Sequence, residues 1–225
     1  SRRVNEQRLQ FWSLYLSRFA TGFGFATLAV LIPTYITVLQ ASEFMGGLFI
    51  TGLTLAQTIV VVPLAWAGDR YDKKRVLLAV LGVSVVTYVA FANVQQIGGV
   101  VGALAASLLG LELSTNVADS TAFIGVRALQ GAAVTGSGLM TLSLVGELAD
   151  HGERANSIGK ANSIRFLASI LGMIIAGGLY QFVGFTPIYT LIVVAFALGI
   201  AGVWIYLPAD ETRRYGNPFA GLALN

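Results

Sequence analysis

The stretch Gly68-Asp69-Arg70-Tyr71-Asp72-Lys73-Lys74-Arg75 gathers six of the chain's 25 charged residues (14 basic, 11 acidic) into eight positions. Residues 44–67 before it carry no charge over 24 positions, and residues 76–93 after it carry none over 18. An α-helix needs about 20 apolar residues to cross a bilayer. The stretch therefore reads as a tight turn joining two membrane-spanning helices. Short loops rich in Lys and Arg stay on the cytoplasmic side, so this turn is expected inside, and every further span must alternate from it.

The composition agrees. Of 225 residues, 56% are hydrophobic and only 11% charged, with 26 glycines. Soluble domains carry roughly 25% charge, so this is a membrane protein by class. The absence of Cys rules out a disulfide framework and thiolate metal sites. The single histidine, His151, falls in a polar loop and reads as a solvated surface residue. No metal, cofactor or catalytic constellation is expected. The net charge of +3 and pI near 9.3 fit loop cations facing an anionic leaflet, so lipid rather than nucleic acid is the expected partner. Residues 1–10 are polar, with Arg2, Arg3 and Arg8, and the apolar stretch that follows is too long for the roughly 7–15 residue core of a signal peptide. It reads as an uncleaved helix.

Six spans are expected, at about residues 10–39, 44–67, 76–93, 121–146, 161–183 and 188–207, followed by a cytoplasmic tail or linker over 208–225. Residues 94–120 are read as an outer-face insertion. Their apolar part, 97–111, is short for a span, and would be either an extension of span three or a helix lying against the others. A crossing there would reverse the side of every later loop. With the amino terminus inside, thirteen of the fourteen basic residues fall in inner loops or the inner ends of spans: Arg2, Arg3, Arg8, Arg18, Arg70, Lys73, Lys74, Arg75, Arg154, Lys160, Arg165, Arg213 and Arg214. The outer loops hold only Glu43, Glu112 and Asp119. This segregation supports both the span count and the orientation, and the expected location is the plasma membrane, crossed several times with the amino terminus cytoplasmic.

The fourteenth, Arg127, lies about 10 Å into span four at 1.5 Å per residue. An ionisable side chain at that depth costs at least about 2.5 kcal/mol and turns toward the bundle interior or a wet cavity. Carbonyls of a neighbouring helix could satisfy it, or it could serve a ligand path.

Three motifs resemble the amino-terminal half of a major facilitator superfamily transporter. The family's loop between spans two and three reads G-x-x-x-D-R-x-G-R-R; here Ala65-Trp66-Ala67-Gly68-Asp69-Arg70-Tyr71-Asp72-Lys73-Lys74 keeps Asp-Arg and the basic pair, while Ala65 and Asp72 replace the two glycines. Span four carries the family's R-x-x-Q-G unchanged, as Arg127-Ala128-Leu129-Gln130-Gly131. Glu147-Leu148-Ala149-Asp150 followed by Arg154 is similar to the family's acid-then-arginine loop. The likeness spans nearly the whole chain except 94–120.

The resemblance implies an all-α bundle of two inverted three-helix repeats. It also implies a second six-helix bundle, and a small-molecule substrate held near mid-membrane by alternating access. That bundle would be a carboxy-terminal half or a second copy of this chain. Arg18 and Gly22 in span one echo Arg127 and Gly131 in span four. Arg127, Gln130, Gly131, Thr21, Tyr35 and Gln57 are the expected substrate or coupling path, with Thr34, Thr135 and Thr141 as further neutral candidates. Asp69, Arg70, Lys73, Lys74, Glu147, Asp150 and Arg154 are the expected cytoplasmic gate. There Asp69 would meet a basic neighbour or the positive N-terminus of a helix of the second bundle, and Glu147 or Asp150 would bridge to Arg70. The alternative is a solvated loop acting only as a topological anchor.

Span five keeps Gly177-Gly178 of the antiporters' G-P-x-x-G-G but has Met173-Ile174 for Gly-Pro, which leans toward export. Proton coupling would need a titratable group, and mid-span positions offer no Asp, Glu or His. The rival readings are a half-size bundle that pairs with itself and a scaffold subunit that has lost transport. An intramembrane enzyme is the weakest, for want of a catalytic constellation.

Overall fold

Hydrocarbon offers no partner for a backbone N–H or C=O, so an apolar segment crossing it pairs those groups internally as a helix. The structure, a computed structural model, describes residues 2–209, and among them the fold is all-α. The helices are α1 (Arg2–Val38), α2 (Glu43–Arg70), α3 (Lys73–Ala92), α4 (Val94–Leu109), α5 (Thr115–Leu148), α6 (Arg154–Val183) and α7 (Phe185–Tyr206). All but α4 are long and apolar enough to cross a membrane. Most of the expected tail, with Arg213 and Arg214, lies outside the described residues.

Local signals set the helix starts. Ser42 caps α2 by accepting the Met45 N–H at 3.2 Å, and Ser114 caps α5 by accepting the Val117 N–H at 3.4 Å. Asp72 caps α3 by accepting the Lys74 N–H at 2.9 Å. The residue that departs from the family's glycine thus starts α3, Tyr71 ends α2, and the turn shrinks to these two residues. At 37 residues α1 is about 55 Å long, well beyond the hydrocarbon thickness, so its polar first turns project from it.

Two contacts tie helix ends on the side of the 68–75 turn, here the basic end. Gln7 donates to the Leu148 carbonyl at 3.1 Å, joining the start of α1 to the end of α5. Lys74 donates to the carbonyls of Trp204 and Leu207 at 3.0 and 2.6 Å, closing the end of α7 with a cation where the helix dipole favours one. At the opposite end Asn116 donates to Gln40 at 3.3 Å.

The central pair is α1 and α5, with 61% and 50% of their most apolar windows buried; α2 and α6, at 11% and 17%, form the rim. Glycine lets these rims seat on the centre, because small residues allow helix backbones to approach. A Cβ at Gly172 of α6 would stand 2.6 Å from the Phe23 carbonyl oxygen of α1. Gly131 of α5 likewise lies on the Leu53 carbonyl of α2.

The 94–120 segment resolves into a separate helix. Asn93 breaks α3 from α4, and Gly110, at φ 64°, ends α4 in the left-handed region. Helix α4 lies against the first turns of α5, with Gly98 on Asp119 and Gly102 on Ala118. Of the two forms expected for this segment it takes the second, a helix laid against its neighbour.

Candidate functional site

Arg127 and Gln130 are three apart on α5 and so share a face. Arg127 is 4% exposed. Its Nε donates to the Phe49 carbonyl of α2 at 2.8 Å, and its Nη1 donates to Gln130 Oε1 at 2.6 Å. Gln130 Nε2 then donates to the Tyr88 hydroxyl of α3 at 3.0 Å. Gly131 explains the reach. It sits one turn below Arg127 and meets Leu53, one turn below Phe49, so the close approach at the glycine brings the guanidinium to the carbonyl. Half-buried Gln57 lies beside Gly131. Arg127, Gln130, Gly131 and Gln57 therefore form one cluster between α2, α3 and α5, and the guanidinium points into packed protein.

Two other expected residues lie elsewhere. Thr21 donates to the Ser17 carbonyl at 2.9 Å and lies 2.9 Å from the Ser137 hydroxyl, between α1 and α5. Tyr35 belongs to an aromatic cluster toward the opposite end, its ring 4.5 Å from Phe123 and 4.6 Å from Phe185. Its hydroxyl donates to the Phe91 carbonyl at 2.8 Å and is 2.7 Å from that of Tyr189. The Thr141 hydroxyl is buried without a hydrogen-bond partner among the described residues.

At the basic end, Lys73 is nearly buried and pairs with Glu147 at 3.0 Å. Glu147 thus bridges to Lys73 and not to Arg70, because the first residue of α3 packs inward against the last turn of α5. Arg70 points outward and stacks over Trp66, its guanidinium carbon 5.3 Å from the ring centre. Asp69 is exposed and forms no ion pair with another described residue. Asp150 is exposed in the loop before α6, and Arg154, at the start of α6, packs over Gly146.

Sequence reading missed two features. Lys74 serves the end of α7, and no local signal links residues 130 apart. Arg18 and Arg165, assigned to the inner ends of their spans, lie on the packed faces of α1 and α6. Arg18 is 3% exposed and donates from Nη2 to Asn162 at 2.7 Å. The Arg165 guanidinium carbon stands 5.9 Å from the centre of the Phe25 ring, near the middle of α1. The recurrence of Arg-x-x-x-Gly in spans one and four was the available signal.

Among the described residues no group of three His, Asp or Glu side chains is placed to hold a metal ion. No curated protein matches the chain. The sequence model of the Major Facilitator Superfamily matches residues 14–223, which takes in all six long helices. With that match, the six-span all-α bundle and the intact span-four motif, the chain belongs to the Major Facilitator Superfamily.

Proposed function

We propose that this membrane transporter moves a small organic solute by alternating access, with the bundle described here acting as one of two and with export antiport as its direction. The observation that carries the reading is the buried Arg127–Gln130–Tyr88 network, an ionised group held deep in a span by the family's own motif. An inverted repeat is supported by matching contacts: Gly22 of α1 lies on the Arg165 carbonyl of α6 as Gly131 of α5 lies on the Leu53 carbonyl of α2. In each case an arginine stands one turn before the glycine and bonds to the same facing helix.

A second bundle is supported by the thinly covered rim. The exposed face of α2 carries Thr51, Thr54 and Thr58; the hydroxyls of Thr51 and Thr58 donate back to carbonyls four residues earlier and cost little whatever covers them. Asp69 has its carboxylate free to receive a helix N-terminus. The basic end is read as cytoplasmic and the membrane as the plasma membrane. Light scattering of the detergent-purified protein, corrected for bound detergent, reads the second bundle directly: a dimer means two copies, a monomer a separate half.

The test compares the accumulation of a solute panel, ethidium included, in cells expressing the wild type or Asp69→Asn. At least one solute should be depleted by the wild type and not by the variant. Because Asp69 makes no ion pair with another described residue, the unfolding temperatures of the two should agree. No difference for any solute would sink the transport reading.

A further inference from the structure

Arg8, Phe11, Tyr15, Arg18, Gly22 and Phe25 recur at three- and four-residue intervals and so lie along one face of α1. That face looks onto α6. Arg18 bonds to Asn162, and Gly22 packs on Arg165, so the two arginines occupy successive rungs of one seam. Neither has an acidic partner among the described residues. The Nε of Arg18 is buried without a hydrogen-bond partner, and the half-buried Arg165 guanidinium makes no hydrogen bond to another described residue. Two like charges this deep in a span are costly without a counter-charge.

The seam also has an entrance. A cleft of about 680 Å³ opens at the basic end between α1 and α6, lined by Arg8, Phe11, Trp12, Tyr15, Lys160 and Ser163 among others, with no acidic residue in its wall. Tyr15 and Gly159 of its wall lie one turn before Arg18 and Asn162. Arg8 and Lys160 thus stand in the cleft wall with aromatic rings between them, and buried Arg18 lies one turn beyond that wall.

We propose that the α1–α6 seam binds an organic anion, its carboxylate or phosphate held by Arg18 and Arg165 and its apolar body against Tyr15 and Phe25. Arg8 and Lys160 draw it in from the cleft. That this anion is the transported cargo rests on the transporter reading above; the binding site does not.

Purified protein in neutral phosphatidylcholine nanodiscs is titrated with benzoate, methyl phosphate and the uncharged benzamide, following the unfolding temperature and tryptophan fluorescence, to which Trp12 in the cleft contributes. Benzoate or methyl phosphate should raise the unfolding temperature saturably, and benzamide should not. Arg165→Gln should weaken anion binding by about tenfold or more, since it removes a charge-assisted contact, while its ligand-free stability does not fall below that of the wild type. Arg3→Gln, in the exposed first turn, should bind as the wild type does.

The proposal is overturned by no saturable anion binding, by equal binding of benzamide, or by undiminished binding in Arg165→Gln. A response to phosphatidylglycerol discs alone, with none to either soluble anion, assigns the seam to a lipid headgroup and overturns it too. Solute transport that survives Arg165→Gln while anion binding is lost keeps the site, removes the anion as cargo and leaves the transporter reading. Anion binding lost in Arg165→Gln with no transport by either protein keeps the site and removes that reading.

Discussion

Gly172→Leu stops α6 from seating on α1 and lowers the stability of the bundle by about 3 kcal/mol, the upper part of the range for overpacking a close contact. The first added carbon would stand 2.6 Å from the Phe23 carbonyl oxygen and 3.1 Å from Thr27 Oγ1. The nearer atom is backbone in the most deeply buried helix, so it cannot swing aside as a side-chain tip would. Leucine is worth about 1 kcal/mol over glycine in helix propensity, which is too little to offset the clash. Gly178→Leu, two turns on and facing open space, is the control. It keeps the propensity gain and meets nothing. Unfolding in sodium dodecyl sulfate, followed by tryptophan fluorescence, separates the two, and equal midpoints would show that the α1–α6 approach does not depend on a bare backbone at 172.

Arg127→Met is expected to leave stability within about 1 kcal/mol of the wild type while abolishing transport. Two terms of similar size oppose each other. The variant loses two charge-assisted hydrogen bonds, to Phe49 and to Gln130, worth about 1.5–3 kcal/mol each before relaxation. It also removes a charge whose burial in a span costs at least about 2.5 kcal/mol, and methionine refills most of the volume. The Phe49 carbonyl keeps its own helical bond, so Gln130 Oε1 is the main orphan. A charge that adds little net stability is retained for another use, and solute accumulation in cells is where its loss should appear. Full transport by a well-folded Arg127→Met protein would reduce the motif to a brace between α2 and α5.

The fold was legible because two independent signals coincide. Apolar lengths mark six spans, and the clusters of Lys and Arg mark where those spans end. The region 94–120 stayed open because a short apolar run has no period that separates a helix extension from a helix lying alongside. Only the break at Asn93 and the seat of Gly98 on Asp119 decide it. The site was legible in part. Arg127, Gln130 and Gly131 are local in sequence and came together, but hydropathy fixes depth without saying which helices touch. Tyr35 therefore went to an aromatic cluster, and Arg18 and Arg165 were counted as span ends although both lie in the α1–α6 seam. Asp72 shows the same limit at a turn. In the sequence it stood only as a departure from the family's glycine, whereas its short carboxylate serves as the cap of α3.

The Lys74 ammonium lies against the last carbonyls of α7. It also stands 5.8 Å from the centre of the Trp204 ring. The polypeptide therefore leaves the sixth span moored to the same short turn that carries Asp69 and Arg70. One side chain, Lys74, thus holds the exit of the sixth span at Leu207 to the start of α3.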